Sequence, residues 1–371
     1  MGNDKKILIL VPAVSARGGI SNYYSVLKKH FSSDVEYFER GARTWPVRKG
    51  FFRELIRAWK DLKRFKKRIR KGDIGLVQSS TSLSVSTTLR DGLFLKSAQR
   101  RGLKTIAFFR GWDDGQQNKI SRHFLKLFRY FFFDSDLIIV LSKKVKDQIS
   151  NWGYKKMIIT ETTLVDKELL EGYTLKKVQN KYRNLKDNSQ IKLLFLSRVE
   201  KRKGIYELIE AIRMLNNARY NAELVICGDG FELQRVRDIV ERDRLHNIVV
   251  KGFVTGKEKK TELENAHLFV FPSYQEGMPN AVLEAMGFGL PVITTPVGGL
   301  IDFFQNKSHG LIINSHDAND IFQKISYLSE NKIVLSKIAE ENFLYAKDSF
   351  RSDYVASRIE KIFRSVLKSN K

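Results

Sequence analysis

The chain has 371 residues and carries 66 Lys and Arg against 41 Asp and Glu, a formal net charge of +25. That length exceeds one core of ordinary size and fits two α/β domains. The single cysteine, Cys227, rules out a disulfide within the chain and points to the reducing cytosol, and no apolar run reaches the roughly 20 residues that span a bilayer.

The charge is uneven: residues 1–165 hold 34 Lys and Arg against 14 Asp and Glu, so +20 of the +25 lies there. Ile7–Val11 reads as a buried strand leading to the turn Gly18-Gly19. Lys5 and Lys6 precede only eight residues of apolar run, interrupted by Pro12, so no secretory signal is expected.

Arg48–Lys71 has 12 basic residues and two acidic ones, with Leu55, Trp59, Leu62, Phe65 and Ile69 at near-helical spacing. A basic amphipathic helix with Trp on its apolar side reads as a membrane-surface element. Arg57, Trp59, Lys63, Arg64, Lys66 and Lys67 would then meet anionic headgroups, at about 1 kcal/mol per charge. The competing reading is a domain helix whose apolar stripe is core. Residues 124–133, rich in Phe and Leu, pose the same question and read as core. A basic domain also suits nucleic acid, but there is no recognition motif or aromatic sheet platform, and no nucleic acid is expected.

Thr105–Phe109 is the next strong strand, followed by Arg110-Gly111-Trp112-Asp113. Residues 166–190 are polar with no strand signal and read as a linker between a first domain, 1–165, and a second, 191–348. The second domain opens on an apolar strand near Leu193, which Arg198 and Lys203 follow. Ligands in open α/β sheets sit outside the carboxyl ends of strands, which raises these two cations above an ordinary solvated charge run. Leu224–Cys227 leads into Gly228-Asp229-Gly230, by itself more a tight turn than a ligand loop, and a further strand ends at Gly252-Phe253.

Residues 272–299 hold four of the six prolines, five glycines and the carboxylates Glu276 and Glu284. Leu268–Phe271 reads as a strand, Pro272–Met278 as a loop, Asn280–Met286 as a helix stopped by Gly287 and Gly289, and Leu290–Thr294 as the next strand. A helix start after such a loop offers unpaired N–H groups to a phosphate, while the two carboxylates suit neutral hydroxyls beside it. A nucleotide sugar has both parts. The last helix, about Tyr354–Leu367, puts Val355, Ile359, Ile362, Phe363 and Val366 on one face.

The spacing Glu276-x7-Glu284 within Pro-Ser-x-x-Glu-Gly-x-Pro-Asn closely resembles the signature of family 4 (group 1) retaining glycosyltransferases, and the likeness runs through Leu193–Gly204, Leu224–Gly230, Val249–Phe253 and Gly18-Gly19-Ile20. The resemblance implies the GT-B fold: two Rossmann-like, doubly wound parallel-sheet domains facing across a cleft, with residues 349–371 crossing back onto the first. It implies that Arg198 and Lys203 grip the donor diphosphate, that Glu276 contacts the hexose and Glu284 the ribose, and that Gly18, Gly19, Gly228, Gly252, Phe253, Gly277, Met278, Asn280, Ala281 and Val282 line the donor. It further implies no metal and no cofactor beyond the nucleotide-sugar co-substrate.

Where many relatives have a His facing the donor sugar, this chain has Arg110, which cannot act as a base; Arg110 would bind an acidic group of donor or acceptor, and Asp113 an acceptor hydroxyl. The expectation is hexose transfer, from UDP first and GDP next, to a lipid-linked or polysaccharide acceptor in capsule, O-antigen or exopolysaccharide assembly, at the inner face of the plasma membrane. The alternative is a non-catalytic basic protein of the same fold that binds membranes or polyanions.

Overall fold

The computed structural model describes residues 5–13, 18–32, 34–41, 51–186 and 189–369, without the side chains of 51, 52 and 55. Strands and helices alternate: β1 (Lys6–Pro12), α1 (Gly19–Leu27), β2 (Val35–Arg40), α2 (Phe51–Ile69), β3 (Ile74–Ser82), α3 (Val85–Gln99), β4 (Lys104–Gly111), α4 (Asp114–Lys119), α5 (Leu125–Phe132), β5 (Leu137–Val140), α6 (Lys143–Asn151), β6 (Ile158–Thr160). There follow α7 (Leu175–Arg183), β7 (Ile191–Leu196), α8 (Ile205–Asn217), β8 (Ala222–Cys227), α9 (Leu233–Arg242), β9 (Ile248–Gly252), α10 (Gly256–Asn265), β10 (Leu268–Phe271), α11 (Asn280–Gly287), β11 (Val292–Thr294), α12 (Leu300–Phe303), β12 (Gly310–Ile312), α13 (Ala318–Glu330), α14 (Lys332–Ser349) and α15 (Ser352–Lys368).

The chain divides into two compact units, residues 1–163 with 352–371, and residues 164–351. Each is built on a six-stranded parallel sheet, in the orders β2-β1-β3-β4-β5-β6 and β12-β11-β10-β7-β8-β9. Strand order reverses between β1 and β3 in the first sheet and between β7 and β10 in the second, and such a switch point opens a crevice at the carboxyl edge. Buried on both faces, the strands are apolar runs such as Ile7–Val11 and Leu193–Phe195.

In the first unit, alternation along β4 sends Phe109 against Phe128 of α5, with ring centroids 5.5 Å apart, and turns Phe108 toward Tyr23 of α1. Residues 124–133 do pack as core: Phe128, Phe131 and Phe132 are buried. The helix α15 belongs to the first unit, where it buries Val355, Ile359, Phe363 and Val366.

Three expectations need correction. Residues 166–190 are no linker: α7 is packed into the second unit, where the Tyr182 hydroxyl reaches the carbonyls of His267 and Gly289 at 2.9 Å each and Lys181 donates to that of Ala266 at 3.0 Å. Neither Gly nor Pro falls within α7, and Val178 and Tyr182 supply it with a buried stripe at i, i+4.

The second correction concerns β11, which begins at Val292. The Leu290 N–H turns back to the Ala285 carbonyl at 3.0 Å, closing α11 through Gly289 at φ +61°, and Pro291 has no N–H to give a sheet.

The third concerns α2, whose Phe65 and Ile69 are buried in the core with Leu62 packed against it, so only part of the expected apolar face is open. Trp59 is 62% exposed. Leu55 is expected on the same face but its side chain lies outside the described residues.

Candidate functional site

Lys203 and Glu276 meet at the switch point of the second sheet. Lys203 closes a short 3-10 turn, Lys201–Lys203, after β7, and Glu276 lies in the loop after β10. The two loops are pressed together: the Tyr274 N–H bonds the Arg202 carbonyl at 2.9 Å, and a Cβ on Gly204 would fall 2.2 Å from the Pro272 carbonyl oxygen. With φ at +71°, only glycine fits there at little cost.

This contact sets the side chains. The Lys203 ammonium pairs with Glu276 Oε1, which also accepts the Ser273 hydroxyl at 2.8 Å, and it lies 5.7 Å from the centroid of the Phe271 ring. Lys203 is 5% exposed, and burial lowers its pKa while the Glu276 charge opposes that shift. Thr295 holds the Ser273 carbonyl through its hydroxyl, and Gly298 lets a neighbouring turn lie against the loop, since a Cβ there would come 2.3 Å from the carbonyl oxygens of both Glu276 and Gly277.

Beside the pair begins α11. Pro279 at its N-cap has no side chain to cap it, no acidic residue occupies the first turn, and the N–H groups of Asn280, Ala281 and Val282 therefore present the positive end of the helix. Met278 is buried just before it. Glu284 is 5% exposed and paired with Lys259 of α10 at 2.8 Å. Arg198 is open to solvent, its side chain 62% exposed, and pairs with Glu200 at 3.0 Å.

The remaining sequence candidates separate. Gly228 has a packing reason for being glycine: at φ +155° a Cβ would stand 1.7 Å from the Ser197 carbonyl oxygen. Gly252 ends β9 at φ +83°, and Phe253 after it is 54% exposed. Gly18, Gly19, Arg110 and Asp113 belong to the first unit. Gly18 precedes α1 with nothing within 4 Å of a Cβ built on it. Asp113 caps α4, its Oδ1 accepting the Gln116 N–H at 2.7 Å, a local role that the sequence reading did not assign.

His267 is no ligand: its Nδ1 accepts the Lys192 N–H at 3.0 Å, and burial drops its pKa to about 4. Cys227 is buried and its thiol pushed up to about 12 by burial. Sequence reasoning missed Lys259, which no pattern separates from its neighbours Lys257 and Lys260. Among the described residues no group of three or more His, Cys, Asp or Glu is arranged to hold a metal.

A cation and carboxylate at the switch point, beside an uncapped helix start, lie where doubly wound α/β proteins take their ligands. The sequence model of the Glycosyltransferase Family 4 matches residues 25–160, in the first unit, and that of the Glycosyl transferases group 1 matches residues 177–343, in the second. The chain belongs to the family 4 (group 1) glycosyltransferases, and its fold is GT-B.

Among curated relatives, it is 29% identical over 199 residues to CapM of Staphylococcus aureus, a capsular polysaccharide biosynthesis glycosyltransferase, across 52% of this chain and 51% of that one. It is 29% identical over 177 residues to TuaC of Bacillus subtilis, a putative teichuronic acid biosynthesis glycosyltransferase, across 48% and 43%. The chain spans about half the length of the curated relatives it matches.

Among solved structures, sucrose-phosphate synthase of Thermosynechococcus elongatus aligns with a TM-score of 0.75 at 17% identity, covering 99% of this chain and all of that one. HepE of Anabaena, in complex with UDP and glucose, aligns with 0.72 at 16% identity, covering 97% and 100%. These likenesses concern the fold.

Proposed function

We propose that the protein is a metal-independent retaining glycosyltransferase that moves a hexose from a nucleoside diphosphate sugar, UDP first and GDP next, to a lipid-linked or polysaccharide acceptor in the assembly of a surface glycan. The observation that carries this reading is the Lys203–Glu276 pair beside the uncapped start of α11. The relatives named for capsular polysaccharide and teichuronic acid support the pathway, and a neighbour that holds UDP supports the donor.

Departure of the diphosphate places negative charge on the leaving oxygens, and fixed cations and N–H dipoles aimed there lower the barrier. Lys203 is preorganised by Glu276 and Ser273, so it need not reorganise as that charge develops. Arg198 adds a planar fork on an exposed stem. The first amides of α11 take a phosphate. Glu276 and Glu284 accept hydroxyls of hexose and ribose, and Gly277, Gly252 and Phe253 border the nucleotide.

The acceptor oxygen bonds to the anomeric carbon as the bond from that carbon to the diphosphate oxygen breaks, on the same face. The freed phosphate oxygen takes the acceptor proton, so no protein nucleophile is needed.

The reading includes attachment to an anionic membrane surface. On α2, Trp59 and Ile56 are exposed among Lys60, Lys63, Lys66, Lys67 and Arg70, and Leu89 and Leu93 are exposed on the neighbouring α3. Apolar side chains within a cationic face suit the headgroup region. No described helix is long and apolar enough to cross a membrane.

The test is a thermal-shift panel of UDP, GDP, ADP and TDP and their sugar conjugates on wild type and Lys203→Ala. A ligand at about a hundred times its Kd stabilises by about 2.7 kcal/mol. One nucleotide series should shift the wild-type melt and leave the variant unmoved. No shift with any of them removes the donor site and leaves the non-catalytic basic protein.

A further inference from the structure

The first unit contains a buried cation with two nitrogens that find no acceptor among the described residues. Arg110, near the end of β4, is 7% exposed and shares the face of Phe108, over α1. Its guanidinium carbon stands 3.4 Å from the centroid of the Tyr23 ring and 5.0 Å from that of Phe108. Nε and Nη1 are buried and reach no hydrogen-bond acceptor among the described residues. The Tyr23 hydroxyl beside it is buried and also makes no hydrogen bond of good geometry there. Burial raises the Tyr23 pKa, so the phenol stays a proton donor.

The rest of the unit shows what a structural arginine looks like. Arg40, 4% exposed, holds Asp91 at 3.2 Å and the Ser80 carbonyl at 2.5 Å, and its Nε alone is buried without an acceptor among the described residues. Arg358 holds both oxygens of Glu161 at 3.1 Å, which occupies the carboxylate whose charge reaches Tyr23. Aromatic stacking compensates part of the desolvation of Arg110, yet buried N–H groups without acceptors remain costly. The residue is also in the right place, at the carboxyl edge of a doubly wound sheet and over α1, which follows the switch-point strand β1.

We propose that Arg110 and the Tyr23 hydroxyl form the receptor for an oxyanion borne by the sugar substrate, a carboxylate or a phosphate, and so select an acidic glycan. The word substrate rests on the glycosyltransferase reading above. The guanidinium donates N–H bonds to the anion and the phenol donates its O–H, giving the unused donors their acceptor.

The experiment is calorimetric or NMR titration of the full chain with glucuronate, glucose 1-phosphate and neutral glucose, and with UDP-glucuronate against UDP-glucose. The first three probes separate carboxylate from phosphate; the UDP pair separates a donor-borne anion from an acceptor-borne one. Wild type is expected to prefer an anionic probe to its neutral counterpart by about tenfold. Arg110→Gln should erase that preference while UDP affinity stays unchanged, and Tyr23→Phe should weaken it about threefold.

Equal binding of anionic and neutral probes to wild type overturns the proposal, as does a preference that survives Arg110→Gln. If Arg110→Gln does not fold, Tyr23→Phe decides, and full retention of the preference overturns it. Failure of UDP to bind wild type, with the anion preference intact, would instead sink the nucleotide-sugar reading alone.

Discussion

Lys203 and Glu276 stand 73 residues apart in the chain and share one buried ion pair, with Ser273 as third partner. The pair joins the loops after two strands that are neighbours only in space, β7 and β10. Breaking it from one side strands a partly buried charge, which is worse than removing both partners. Lys203→Met should therefore destabilise by about 1–3 kcal/mol, and Lys203→Met with Glu276→Gln by clearly less. Urea melts of the four proteins in the cycle measure this, and additivity would show that the pair has no coupling.

On the proposed mechanism, the same Lys203→Met change removes charge aimed at the leaving group. Transfer from the donor found by thermal shift should fall by about 10²–10³ in kcat, the usual effect of losing one such donor. Stopped-time product assays on the folded variant check it.

The start of α11 allows stability and function to be pulled apart. Ala281→Asp puts a carboxylate in a first turn that has none, which favours the helix by about 0.3–1 kcal/mol but repels a diphosphate. The melt should hold or rise while UDP no longer shifts it. Undiminished UDP binding would show that the anion does not sit on these amides.

Gly298 tests the packing of the Glu276 loop. Its φ is +56°, and a Cβ would come 2.3 Å from two backbone carbonyl oxygens. Gly298→Ala should cost at least about 1 kcal/mol and weaken UDP binding with it, because the loop must shift.

Two buried bases of the second unit contribute to a stability that rises with pH. The pKa of His267 is lowered by burial to about 4 in the fold, below its ordinary 6.5. The unfolded chain binds the extra proton, so stability is present above pH 6.5 and is lost as pH falls toward 4. The pKa of Lys181 is lowered by burial to about 7 from 10.5, so its penalty is full below pH 7 and is relieved as pH rises from there. Melts across pH 4–9 should show both slopes. His267→Gln should flatten the acid limb, and Lys181→Met the limb above pH 7.

On α2, Phe65 and Trp59 should behave in opposite ways. Phe65 is fully buried, and Phe65→Ala should cost about 3–5 kcal/mol. Trp59→Ala should leave the melt unchanged yet reduce sedimentation with anionic liposomes, and charge reversal at Lys63, Lys66 and Lys67 should abolish it. Sedimentation unaffected by either change would remove the membrane surface from the proposed function.

The sequence by itself determined the alternation of strands and helices and the position of the second-unit candidate site. Apolar strand runs and Gly and Pro punctuation are local signals, and Glu276, Glu284, Arg198 and Lys203 fall directly after such strands. It could not show that α7 is packed rather than a linker, because Tyr182 and Lys181 earn their places by bonding carbonyls about a hundred residues away.

Nor could it divide α2 between core and solvent, since helical spacing marks an apolar stripe and leaves its partner unnamed. Tertiary structure alone decided that Glu276 takes Lys203 and that Glu284 takes Lys259, and that Arg110 is buried with no acceptor of its own among the described residues. Ion pairing and desolvation depend on which groups the fold brings within a few ångströms, and that distance is written in no local stretch of chain.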